Sequence, residues 1–164
     1  MERYGLDIKR DAIGAEPATI EGVKALCGID FADDDATITA LCIQARKEAE
    51  RFCGRVFIDT DVTVYAEYWV GSYELPYGPV SGNLLTVKDA DDNDLTDYKL
   101  KGVGFKKLDI SAPDGVYLTY RSAGYPDDAK TAIEMLTACL YDASFVPMFK
   151  ADAYAILTNY QRAI

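Results

Sequence analysis

The sequence predicts an α+β protein: a mostly helical core, two long helices plus short ones, with an inserted antiparallel β meander. Three observations lead there. Apolar stripes at helical spacing occupy Asp33 to Cys53 and Pro126 to Phe145. Between them the period changes to alternation, interrupted by turn residues. The 164 residues are 49% hydrophobic and 27% charged, which supplies a core and argues against a disordered chain.

Taken in order, residues 1–18 show no clear period and mix charge with Gly5 and Gly14, which reads as an N-terminal arm ahead of a single domain over 19–164. Thr19 is placed to cap a short helix over Ile20 to Cys27, with Val23 and Leu26 inward and Gly28 as the stop. Asp33, Asp34 and Asp35 open the first long helix. Its Ile38, Leu41, Cys42, Ala45, Ala49 and Phe52 form one stripe, and Gly54 ends it.

The β element is expected over about 56–121. Val62, Val64, Ala66, Tyr68 and Val70 share one parity of a strand, and Thr63, Tyr65, Glu67 and Trp69 the other. Leu75-Pro76-Tyr77-Gly78-Pro79-Val80 interrupts it, and further strands follow over Leu84 to Ala90, Leu95 to Lys101, Phe105 to Ile110 and Val116 to Arg121, with turn chemistry between them. Pro126 with Asp127 and Asp128 starts the second long helix, whose stripe is Ala129, Ala132, Ile133, Leu136, Leu140 and Ala143. Pro147 separates a last helix near Lys150 to Tyr160. No internal repeat or low-complexity tract appears.

The composition excludes much chemistry. Without any histidine the chain cannot build a Ser-His-Asp or Cys-His nucleophile, a histidine metal site or the usual neutral-pH base. Cys27, Cys42, Cys53 and Cys139 contain no Cys-x-x-Cys pair, and Cys42 and Cys53 on one helix stand ~16 Å apart, beyond disulfide reach, so all four read as reduced thiols. A net charge of -10 argues against a general grip on nucleic acid. No apolar run approaches the ~20 residues of a membrane span, and the opening Met-Glu-Arg-Tyr-Gly-Leu-Asp lacks a signal peptide's basic start, so synthesis in the cytosol and no membrane partner are expected.

Three candidate sites remain. Asp89 to Asp94 resembles the start of a calcium loop, but Asp94 stands where glycine is required and Leu100 where a bidentate glutamate is, so a solvated hairpin turn is expected. The Asp33 to Asp35 run is what a helix start favours. Tyr65, Tyr68, Trp69, Tyr73 and Tyr77 could form a stacking platform, but without interleaved bases they read as strand packing or a subunit interface. No nucleotide loop is present. The residues alone therefore favour an interaction or structural protein, with no catalytic residue, metal or cofactor. A histidine-free carboxylate hydrolase or a carbohydrate-binding module using the aromatic strand are the competing classes.

Several segments read in order carry a resemblance. Thr19-Ile20-Glu21-Gly22-Val23-Lys24-Ala25-Leu26 is followed by an acidic turn, by Asp35, Ile38, Leu41 and Ala45 at helical spacing, and by Glu50 and Gly54-Arg55. Leu75-Pro76 and Pro79-Val80 precede the meander. Val116, Leu118, Tyr120 and Ala123-Gly124-Tyr125 precede a helix containing Ala132-Ile133 and Leu140-Tyr141, and Leu157, Tyr160 and Arg162 close the chain. This order resembles the head-tail connector (adaptor) proteins of tailed bacteriophages. The family often has a basic residue where Cys27 stands and another in the place of Asp142-Ala143-Ser144, so the contacts of those bases are not expected here.

The resemblance implies a non-enzymatic head-completion protein of the virion, assembled in the host cytoplasm as a ring of about twelve copies. Such a ring joins the capsid portal to the tail or next head-closure protein and continues the channel through which double-stranded DNA is packaged and ejected without specific binding. Head-closure, tail-terminator and DNA-packaging accessory proteins are the alternatives within the virion. The C-terminal segment 150–164, with Ala153, Ile156, Leu157 and Tyr160 at helical spacing, is too short to be stable alone. It either folds back on its own domain or docks on the portal or a neighbouring subunit, and the resemblance favours the second.

Overall fold

A computed structural model describes residues 5–161. The elements run β1 (Leu6–Ala12), α1 (Ile20–Cys27), α2 (Asp35–Cys53), β2 (Thr60–Ala66), β3 (Trp69–Glu74), β4 (Val80–Asp89), β5 (Tyr98–Lys101), β6 (Lys107–Ala112), β7 (Val116–Ser122), α3 (Asp127–Tyr141) and α4 (Val146–Thr158). The α+β class holds, but helix and strand are nearly balanced at 37% and 31%, so the core is not mostly helical. The chain divides into two compact units. A β unit takes the chain up to Gly14 and Ile58–Gly124, and a helical unit takes Ala15–Phe57 and the chain from Tyr125 onward.

In the helical unit the capping chemistry works as the sequence implies. The Thr19 hydroxyl accepts from the Gly22 N–H at 3.1 Å, and Gly28 closes α1 in the left-handed conformation. Gly54 does the same for α2 at φ 66°, its N–H reaching the Glu50 carbonyl. Val23, Ile38, Cys42, Ala45, Ala49, Phe57, Ala132, Ile133 and Leu136 share one core, so the two long helices do pack together. Leu26 is only half-buried, and α3 stops at Tyr141. Asp142 accepts from the Ser144 N–H to start a short 3-10 turn, which leaves Ala143 exposed. Pro147 lies in the first turn of α4 and starts that helix earlier than expected, because proline's missing N–H costs nothing there.

The β unit is not one meander. A four-stranded antiparallel sheet has the order β1-β2-β7-β4, and a three-stranded one the order β3-β6-β5. Val62, Val64, Trp69, Leu108, Ile110, Leu118 and Tyr120 form their shared core. The single strand expected over 62–70 breaks at Glu67-Tyr68, where the chain changes sheets and the inward parity flips. Trp69 is therefore buried at 3% exposure, while Tyr68 and Val70 face out. Residues 6–12, expected as part of an arm, pair with β2 along their whole length, with Leu6 and Ile8 packed on the core. The alternation was there but lay under Asp7, Lys9, Arg10 and Asp11. Residues 1–4 of that arm, and residues 162–164 with Arg162 of the C-terminal segment, lie outside the described residues.

Candidate functional site

The C-terminal residues expected at an interface divide by burial. Ala153 and Leu157 are fully buried in the helical unit's own core, and Ile156 and Tyr160 pack partly against it. Within the single chain the segment's described residues pack on the helical unit, the other alternative, which shields the apolar face of a helix too short to stand alone. The Tyr160 hydroxyl donates to Asp128 at 2.6 Å, and the Arg55 guanidinium stands 5.7 Å from its ring.

The acidic runs are engaged in local structure. Asp89 Oδ1 accepts from the Asp91 and Asn93 N–H groups, both at 2.9 Å, and Lys88 pairs with Asp92 at 2.8 Å. The bonds from Asn93 hold the Asp89 carboxyl below its ordinary value. This is a tied turn with no open ligand cradle. Asp34 occupies the start of α2 without making a side-chain cap; it accepts from the Tyr141 hydroxyl at 2.5 Å, and Asp35 pairs with Lys24. These carboxylates stand at the start of α2 and also join helices. Burial pushes the Cys53 thiol up to about 11, and burial also raises Cys42, Cys27 and Cys139, so all four are protonated thiols at neutral pH. Among the described residues no group of three or more cysteine or acidic side chains is placed to hold a metal ion, and no helix is long and apolar enough to cross a membrane.

The aromatic platform is likewise dispersed. Tyr65 stacks on Tyr117 at 4.4 Å on the outer face of the β2–β7 pair, Trp69 meets Tyr73 edge-on at 5.7 Å, and Tyr77 lies under Arg10 at 4.4 Å. Trp69 is buried while Tyr68 and Tyr73 are exposed, so the five do not share one exposed platform.

What the structure does bring together is a set of joints at the residues carrying the family resemblance. Glu134 of α3 accepts from both the N–H and the hydroxyl of Thr19, each at 3.0 Å, and so pins the start of α1. Gly22 permits the approach, since a β-carbon there would stand 2.3 Å from that carboxylate. Arg46, buried on α2, donates to Glu16 at 2.8 and 3.1 Å and to Glu50 at 3.0 Å, while Glu50 accepts from the Phe57 N–H at 2.9 Å. In the β unit, the Tyr120 hydroxyl donates to the Pro76 carbonyl and holds the Leu75-Pro76 segment on β7. These groups position segments. Arg46 and Glu134 were not found from sequence, and the signal was a charge standing inside an otherwise apolar stripe.

Comparison with known proteins gives two findings. Residues 17–79, which span α1 through β3, match the model of the phage gp6-like head-tail connector protein family. That family is one of structural virion proteins, not enzymes. No curated protein sequence matches. Among solved structures, a chain in the neck of an empty gene transfer agent (GTA) particle computed with C6 symmetry superposes with a TM-score of 0.72 at 16% identity, covering 95% of this chain and 96% of that one. A chain of the virion of a native GTA particle gives 0.71 at 18% identity over 94% and 96%, and one from a native GTA neck computed with C12 symmetry gives 0.67 at 16% identity over 95% and 96%. At these identities the likeness is one of fold, and it extends over both units.

Proposed function

From a chain whose residues 17–79 match the head-tail connector family, we propose a structural protein of the virion neck, built as an oligomeric ring at the head-tail interface. The observation that carries this reading is that match. It falls on α1, α2 and the joints of Glu50 and Phe57, and the neck-protein fold likeness continues it to the rest of the chain. The ring docks on the capsid portal on one side and on a tail or head-closure protein on the other. It assembles in the host cytoplasm from copies that each bring a charge of -10. An acidic channel wall repels phosphate, so double-stranded DNA slides through it without adhering. No step of chemistry is required of the protein, in keeping with side chains that hold segments together and thiols kept protonated.

The test is direct. Purified chain mixed with purified portal rings from the same particle should add one ring of density at the portal's outer end in negative-stain images. Portal rings that remain bare, with the chain instead decorating tail tubes, would replace this reading with that of a tail-terminator.

A further inference from the structure

The β unit has four sheet edges, and an exposed edge pairs with other strands unless something blunts it. β1 is charged at Asp7, Lys9, Arg10 and Asp11. β4 is irregular, its register with β7 shifting between Ser81 and Leu84 and again between Leu84 and Thr86. β5 has four residues, two of them Lys99 and Lys101. β3 has no such device: Trp-Val-Gly-Ser-Tyr-Glu carries no charge before its last residue, and Val70 and Tyr73 stand 37% and 41% exposed.

The two edges of the three-stranded sheet also differ in sign. From Val62 to Val87 the chain has Glu67 and Glu74 and not one lysine or arginine. From Tyr98 to Lys107 it has Lys99, Lys101, Lys106 and Lys107 and no acid. In a chain of net charge -10 this is a concentrated basic segment: Lys99 and Lys101 lie on β5, the edge opposite β3, with Lys101 paired to Asp109 of β6 at 2.8 Å, while Lys107 stands on β6 across from Glu74.

We infer that β3 of one copy pairs with β5 of the next, so that the three-stranded sheets of neighbouring copies continue into one another. The inference rests on the ring reading above and names its subunit contact. β3 and β5 are each antiparallel to β6 and hence parallel to each other, at opposite edges. Each added copy therefore presents the same two edges again, which is the head-to-tail contact that closes rings. Lysines on β5 prevent two β5 edges from meeting and leave the neutral-to-acidic β3 edge as their partner. The same lysines match a polyanion such as DNA, but that would leave β3 uncovered.

Light scattering after size exclusion, over a range of concentration and salt, tests this. The native chain should assemble, more weakly as salt rises. Lys99→Glu with Lys101→Glu should run as a single chain that still unfolds cooperatively, its melting temperature lowered a little by loss of the Lys101–Asp109 pair, and the milder Lys99→Gln with Lys101→Gln should assemble at higher concentration. Adding Glu67→Lys and Ser72→Lys to the doubly reversed chain should restore the assembled mass. A native chain that stays single throughout overturns the inference, as does assembly indifferent to the reversals or not restored by the compensating pair. Reversals that leave assembly intact but release bound duplex DNA would assign the lysines to DNA and overturn it as well. Portal attachment, scored on the same variants, decides the neck reading separately: rings that dock on portal yet survive both reversals leave that reading standing without this contact.

Discussion

The helical unit and the β unit join distant parts of the chain by opposite means. Helices satisfy their backbone groups internally, so the links between them fall to side chains, here Glu134 on Thr19, Arg46 between Glu16 and Glu50, and Tyr141 on Asp34. Strands link through the backbone itself. β2 and β7 keep one register from Thr60 opposite Ser122 to Ala66 opposite Val116, and the core between the sheets is almost wholly apolar. The helical unit should therefore be the more sensitive to loss of a single polar group, while loss of apolar volume should weaken either unit.

The largest effect should come from Arg46→Ala, which leaves Glu16 and Glu50 facing each other without their cation in a nearly buried place. Removing one partner of such a group costs about 3–5 kcal/mol. Because the chain's single tryptophan, Trp69, lies in the β unit's core, its fluorescence follows that unit, while far-ultraviolet ellipticity is dominated by the helices. A fall in the ellipticity melt much larger than in the fluorescence melt is expected. Equal shifts in both would show that the units unfold as one.

Matched core truncations sharpen the contrast. Leu136→Ala in the helical core and Leu118→Ala in the β core each remove a side chain that is 3% exposed or less, at a cost of about 2–4 kcal/mol. Leu118→Ala should move the fluorescence transition first and Leu136→Ala the ellipticity transition first. A Leu136→Ala melt identical to that of the native chain would remove α3 from the core.

How far the sequence reveals each unit follows the same division. The helical unit is legible because its signals are local: Thr19 and Gly28 bound α1, Gly54 bounds α2, and the stripes from Ile38 and Ala129 declare their inner faces. The β unit is legible as alternation but not as topology. Nothing local to Glu67-Tyr68 says that the strand ends and changes sheets, since the signal is the pairing of β3 with β6 some forty residues on. The charges on β1 hid its alternation for the same reason, its partner being far away at Thr60–Ala66. The joints stayed hidden because a lone Glu134 or Arg46 in a stripe gains its meaning only from Thr19 or Glu16 in a distant segment. Ala153 and Leu157 were visible as an apolar face, but not as a face already covered.

A smaller effect tests the cap joint. Thr19→Ala removes both the acceptor for the Gly22 N–H and one of the two donors to Glu134, at a cost of about 1 kcal/mol. Thr19→Ser should restore most of it, because serine keeps the hydroxyl. A serine variant as unstable as the alanine one would show that the methyl group's packing matters more than the hydrogen bonds.

The smallest expected effect is a difference in alkaline stability. Tyr154 donates its hydroxyl to Glu48, and burial first, then that bond, pushes its pKa up to about 12. A tyrosine whose folded pKa lies above its unfolded value of about 10 adds stability that is fully present below pH ~10 and is lost as pH rises toward ~12. Cys53, raised to about 11 by burial, titrates in the same direction in the same unit. In the β unit Tyr120, deeply buried, is also shifted upward. Both melts should therefore decline above pH 10, and Tyr154→Phe should flatten the decline in ellipticity only, leaving the fluorescence profile of Trp69 as it was. A Tyr154→Phe chain whose ellipticity melt declines between pH 10 and 12 as steeply as the native one would assign the alkaline loss to the other upward-shifted groups of that unit, Cys53, Tyr141 and Tyr160 among them.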